Sequence, residues 1–248
     1  MSLPRSRHGS INHDGRLIEY EIVHRAAVTR RIHLEINERG GLQVVAPRRM
    51  RVRDINKALQ QRAQRVTRFL AEARARKRDL PALNYSNGER HLFMGESYPL
   101  TITERPGNRG MVKLDGDGFQ VVAPGQSPET VRNQLIRWYR RQAQQQFETR
   151  LASFARLAPW TEGGLPAMRL RLMKRTWGSC SSKGVITLNP HLVKAPAECI
   201  DYVIAHEICH LREHNHGRAF YALQEQLFPD WREFKAHLKQ KGHVYLHA

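Results

Sequence analysis

Two histidines four residues apart with a glutamate between them, His206-Glu207-Ile208-Cys209-His210, limit the geometry this chain can adopt more than any other stretch of it. On a helix the spacing sets both imidazoles on one face, where they can share a Zn²⁺, and leaves Glu207 beside the metal's open position. A chain with 13 histidines produces such a pattern by accident on the order of a few percent of the time, so a solvated or core histidine cluster is the competing reading. A third histidine, His216, follows in the same run, AHEICHLREHNHGRAF. If the helix ran straight on, His216 would stand about 15 Å along the axis from His206. Zinc holds nitrogen at about 2.0–2.1 Å, so a shared ion requires the chain to turn between them. Asn215 tolerates the left-handed conformation that often ends a helix, and Gly217 follows His216, which makes a turn near Asn215 chemically reasonable.

The residues upstream support a helix in this place. Pro196 can occupy the first turn, and Ile200, Val203, Ile204, Ile208 and Leu211 supply an apolar face for packing. Before it, RLRLMKRTWGSCSSKGVITLNPHLV reads as a strand over 169–172, a polar bend over 178–184 and a strand over 185–188. A strand beside the metal helix would offer a backbone edge on which an extended peptide can be laid.

The combination of WGSCSSKGVITLN, the IDYVIAHEICHL helix and NHGRAF resembles the YgjP-like metal-dependent hydrolases, classed with the zinc metallopeptidases, and more distantly the SprT-like proteases. The resemblance runs from about Gly15 to about Leu238 and is most specific between Met173 and Phe220. It implies a zincin-type catalytic domain with one Zn²⁺ per chain, His206, His210 and His216 as ligands and Glu207 as the catalytic residue. Thr176 stands where many relatives have a basic residue, and Gly217 where they commonly have serine; neither departure touches an implied ligand. The His206 to His216 spacing also equals that of the metzincins, but Glu213 occupies the position of their glycine, which argues against that group.

Three protein ligands would leave zinc a place for solvent, whose pKa falls from 15.7 to about 7. Glu207 would accept the proton. Trp177, Gly178, Ser179 and Cys180 are the candidate substrate-binding residues, Trp177 having a buried structural role as its alternative. No residue is singled out as transition-state stabiliser, although Tyr202, Tyr221, His214, His237 and Arg218 lie near in sequence. His243 or His247, in the C-terminal KGHVYLHA, could add a ligand, with a frayed surface tail as the simpler reading.

Three cysteines, Cys180, Cys199 and Cys209, form no C-x-x-C, and the polar, basic start MSLPRSRHGS is no signal segment. Reduced thiols in the cytoplasm are expected, with no membrane span. The 41 basic residues against 23 acidic ones, a net charge of +18, concentrate between Arg48 and Arg78. Such a segment could hold nucleic acid without sequence preference, or could be a solvated face of a basic protein.

GLQVVAP at 41–47 recurs as GFQVVAP at 118–124, each copy preceded by strand-like segments and followed by a helical pattern, the first over 54–76. The expected fold is α+β: an N-terminal duplicated β-β-β-α region, then a zincin-like catalytic domain whose H-E-x-x-H helix lies next to a small sheet. The expected division is a disordered leader over 1–11, a basic β-rich domain with the internal repeat over 12–125, and the metallohydrolase domain over 126–248. The function expected first is a zinc-dependent metallopeptidase acting on polypeptide. The alternatives are a nucleotide or phosphoester hydrolase of the nucleoside triphosphate pyrophosphatase type, its arginines holding phosphates, and a nucleic-acid-binding module with a structural zinc closed by Cys180.

Overall fold

Asp14 and Gly15, at φ +50° and +74°, close a two-residue hairpin between β1 (Arg7–His13) and β2 (Arg16–His24) in a computed structural model that describes residues 7–24, 32–37, 41–78, 80, 82–107, 110–162, 164–173 and 176–247. An Asp-Gly pair favours this turn because both central residues need positive φ. With β3 (His33–Ile36) and β4 (Leu42–Ala46) the hairpin makes a four-stranded sheet of order β1-β2-β4-β3, in which β2 and β4 run parallel and the outer pairs antiparallel. The leader expected over 1–11 therefore gives way to strand from Arg7, because Ile11 is buried opposite Ile18; residues 1–6 lie outside the described residues.

Two helices follow, α1 (Val52–Gln60) and α2 (Ala63–Arg78), where the sequence pattern suggested one. The break falls at Gln61 and Arg62, whose N–H groups fold back in a tight turn, Arg62 donating to Leu59 O at 3.0 Å. Ile55, Leu59 and Val66 are buried with Tyr20, Ile22, Leu42 and Val44 of the sheet. Arg51, Arg53, Lys57, Arg62, Arg65 and Arg68 are exposed, while the side chains of Arg74, Arg76, Lys77 and Arg78 lie outside the described ones.

The second unit repeats the first in order and pairing sense. Strands β5 (Arg90–Phe93), β6 (Glu96–Glu104), β7 (Met111–Asp115) and β8 (Gly118–Ala123) form a sheet of order β5-β6-β8-β7, and Met94-Gly95 at φ +50° and +88° closes its hairpin. Registers agree too: Leu42 pairs with Tyr20, and its counterpart Phe119 pairs with Leu100. Each sheet thus holds four strands before its helix rather than three. Contacts divide the chain into Met1–Pro81 and Ala82–Ala248, so the second sheet belongs with the helices that follow it, and the boundary moves from 125/126 to 81/82.

The physical link is α3 (Pro128–Leu157). Ser127 caps it by accepting from Thr130 N at 3.2 Å, and Pro128 occupies its first turn. Val131, Leu135, Trp138 and Tyr139 bury the first half of α3 with Phe119 of β8, while Phe147 and Leu151 carry the same core toward the later helices.

A third, small sheet has the order β10-β11-β9, with β9 (Met168–Leu170) parallel and β10 (Gly178–Cys180) antiparallel to β11 (Ile186–Leu188). Residues 178–180, expected in the bend, are strand, and the bend shrinks to Ser181–Gly184, closed by Gly184 N to Ser181 O at 2.9 Å. A 3₁₀ turn, Pro190–Lys194, leads into α4 (Ala197–Cys209), followed by α5 (Arg218–Leu227) and α6 (Trp231–Tyr245). Among the described residues no helix is long and apolar enough to cross a membrane.

Candidate metal centre

Helix α4 is held from both ends of its length. Arg150 of α3 pairs with Asp201 at 2.7 Å, and Trp160 Nε1 donates to Ile208 O at 3.0 Å, satisfying a carbonyl of the last turn. Ile200, Ile204 and Ile208 are fully buried, which fixes the rotation of the helix and so the direction in which His206 leaves it.

The helix stops at Cys209, with His210 as its C-cap, and Arg212 and Glu213 N–H groups close on Cys209 O at 3.1 and 2.9 Å. The chain then returns without using a left-handed Asn215; instead Gly217 N donates to Asn215 O at 2.7 Å. That return brings His216 back to the helix. Its Nε2 lies 3.0 Å from Nε2 of His206, and one ligand atom from each of His206, His210 and His216 falls within 4.8 Å of the others.

The outward nitrogens are organised as well. His206 Nδ1 faces Gln224 Oε1 at 3.2 Å, and His210 Nδ1 faces Glu213 O at 2.9 Å. Because both partners are acceptors, each ring carries its proton on Nδ1 and presents a lone pair at Nε2 toward the cluster. Burial, then the neighbouring His210 and His216, push His206 down to about 3, so the imidazole is neutral as a ligand must be. Phe220 of α5, fully buried, supports all three rings from 4.6–4.9 Å. Three imidazole nitrogens converging in this way fit a borderline-soft cation such as zinc.

Glu207 is 4% exposed, and its Oε2 has no hydrogen-bond partner among the described residues. Burial pushes its carboxyl up to about 8. Gly178 of β10 lies directly against it: a Cβ there would meet Glu207 Oε1 at 2.5 Å. The strand can approach the carboxylate this closely only because residue 178 has no side chain.

The other substrate-binding candidates separate. Ser179 is exposed, Cys180 is half-buried with its thiol pushed up by burial and by Glu207, and Trp177 lies half-buried with its ring 3.1 Å from where a Cβ on Gly242 would be. Cys180 does not belong to the three-histidine group, nor do His243 and His247. Of the residues considered as stabilisers, Tyr202 is buried near Glu207 and Tyr221, and pushed up to about 12 mainly by burial, while His237 is engaged by Tyr245 Oη at 2.7 Å. Tyr221 stacks on Trp231 at 5.1 Å. Arg218 and His214 are exposed.

Phe220 and Gln224 are the supporting residues that sequence reasoning missed as parts of the centre. Their i, i+4 spacing on a helix immediately after the third histidine was the available signal. Gln224→Met removes the acceptor for His206 and should weaken zinc binding about 10–100-fold, whereas Gln224→Glu keeps an acceptor oxygen and retains the affinity; competition with a chelator measures both.

The YgjP-like metallopeptidase domain matches residues 30–241 of the chain. No match is found among curated proteins. Among solved structures, the metallopeptidase zymogen of Pyrococcus abyssi abylysin is similar over 38% of this chain and 93% of its own, with 25% identity and a TM-score of 0.35.

Proposed function

The chain belongs to the YgjP-like metallopeptidase family, and from that premise we propose that it is a zinc-dependent endopeptidase in which His206, His210 and His216 hold the ion and Glu207 handles the proton. The observation that carries this reading is the convergence of three imidazoles, two of them with Nδ1 already engaged. When bound, zinc polarises a carbonyl and lowers the pKa of water from 15.7 to about 7. Burial alone would keep Glu207 protonated at neutral pH, but beside a zinc ion its carboxylate form is favoured, and that carboxylate takes the proton of the attacking water and returns it to the departing amine nitrogen. The polypeptide lies extended along the outer edge of β10, which among the described residues pairs only with β11 on its other side. The absence of Cys180 from the ligand group supports an open centre over a closed structural one. The matched registers of the two four-stranded sheets support reading GLQVVAP and GFQVVAP as an internal duplication.

The test is direct. Zinc-loaded protein incubated with unfolded casein should generate new internal N-termini, and nucleoside triphosphates should release neither phosphate nor diphosphate. Diphosphate release with casein intact would overturn the peptidase reading.

Gly178 supplies a second check. In Gly178→Ala the methyl group would meet Oε1, Cγ and Cδ of Glu207 at 2.5–2.8 Å, so the carboxyl group must shift to admit it. A displacement on the order of 1 Å at the base costs about a hundredfold in rate. The expected result is a kcat about a hundredfold lower with the full zinc content, measured by steady-state kinetics alongside metal analysis.

A further inference from the structure

At the end of α4 remote from His206, an open cleft lies between one face of α3 and the 3₁₀ turn Pro190–Lys194. Nine residues of helix separate Ala197 from His206, roughly 13 Å of rise, so the cleft is separate from the metal centre. Its chemistry is one-sided. Arg132 and Arg140 reach it from positions about two turns apart on α3, and Lys194 and His191 reach it from the 3₁₀ turn. Leu135, Ile136 and Leu172 supply apolar wall.

Lys194 is only 5% exposed, and lysine is rarely buried to this degree without a counter-ion. Its Nζ donates to His247 O at 2.7 Å and sits 5.0 Å from the Tyr139 ring centroid. Among the described residues, none of Lys194, Arg132 and Arg140 has a carboxylate at ion-pair distance. Glu89, which contacts His91 of the same cleft at 2.9 Å, already accepts from Asn84 N at 2.6 Å and Tyr85 N at 3.1 Å. Burial and then Arg132 push Lys194 down to about 8, which leaves it charged at neutral pH beside a second cation. His191 Nδ1 is also buried without a hydrogen-bond partner among the described residues.

We propose that this cleft binds a carboxylate carried on an apolar body, the head between Lys194 and Arg132 and the body along Leu135, Ile136 and Leu172. A carboxylate offers the planar pair of acceptors that a guanidinium engages bidentately, and its charge complements a buried ammonium that no carboxylate among the described residues meets. The aliphatic wall selects an attached chain over a bare anion.

Calorimetry on the full zinc-loaded chain with octanoate, octyl phosphate, octanol and inorganic phosphate tests the proposal. Octanoate should bind one per chain and more tightly than the other three, with the same affinity after a chelator removes zinc. Arg132→Gln and Lys194→Met should each weaken it about ten- to a hundredfold. Arg132 is exposed, so Arg132→Gln should melt with wild type, while Lys194→Met also gives up its bond to His247 O and is read alongside a melting curve that shows it folded. Octanol binding as tightly as octanoate, octyl phosphate binding more tightly, affinity that vanishes with zinc, or affinity unchanged in both variants would each overturn it. So would the absence of octanoate binding to wild type.

Discussion

With zinc bound and unfolded casein as substrate, Glu207→Gln turns over about a hundred- to ten-thousandfold more slowly than wild type while holding the metal as tightly. The substitution keeps the shape of the side chain and removes its ability to take a proton. The buried Oε2 of Glu207 has no hydrogen-bond partner among the described residues, so little except the proton-transfer role is lost. Burial already pushes this carboxyl up to about 8, so in the zinc-free protein the amide replaces a largely neutral group of the same shape and the melting temperature should stay level. That combination separates loss of chemistry from loss of structure. Full activity in Glu207→Gln on every substrate would remove Glu207 from the mechanism, and a fall in zinc content would recast it as a ligand.

Which parts of this centre could be read in the sequence follows from how local each interaction is. His206 and His210 share a face through helix geometry alone, so four residues of sequence were enough to pair them. His216 required a turn that spacing demanded but could not describe: the expected left-handed Asn215 is absent, and the return is built by Cys209 O accepting two N–H groups and by the short Gly217 to Asn215 bond. Phe220 and Gln224 left only a weak trace, an i, i+4 spacing after the third histidine, for a different reason. Their role depends on α5 packing back onto α4, a contact that no local pattern encodes. The fold divides in the same way. GLQVVAP and GFQVVAP marked one strand in each sheet, and Asp14-Gly15 was a readable hairpin signal, whereas a methionine at positive φ in Met94-Gly95 is not one that composition suggests. The expected boundary at 125/126 followed the repeat, which groups both sheets together, whereas contacts group the chain as Met1–Pro81 and Ala82–Ala248. Burial groups the second sheet with α3, through Phe119, Trp138 and Tyr139, and so with the metal helix.

Removing a ligand acts on stability as well as on activity, because a metal that binds only the folded state stabilises it by mass action. At zinc about a thousandfold above its dissociation constant, that linkage is about 4.1 kcal/mol. For a unit of the size of Ala82–Ala248, each kcal/mol moves the melting temperature by about 2–4 °C, so a chelator should lower it by roughly 10 °C in wild type. His206→Ala and His210→Ala should lose zinc by more than the 10–100-fold expected for an outer partner such as Gln224, and with it the chelator-dependent shift. His216→Ala should behave similarly but less severely. His206 and His210 are fixed by α4 and by acceptors at Nδ1, whereas His216 is exposed and carried by the returning loop, so two preorganised nitrogens survive its removal. Metal content after dialysis, read together with melting curves with and without chelator, orders the three variants. A His216→Ala protein that keeps its full zinc content and its full chelator-dependent shift would take His216 out of the ligand set and leave α4 as the sole source of histidine ligands.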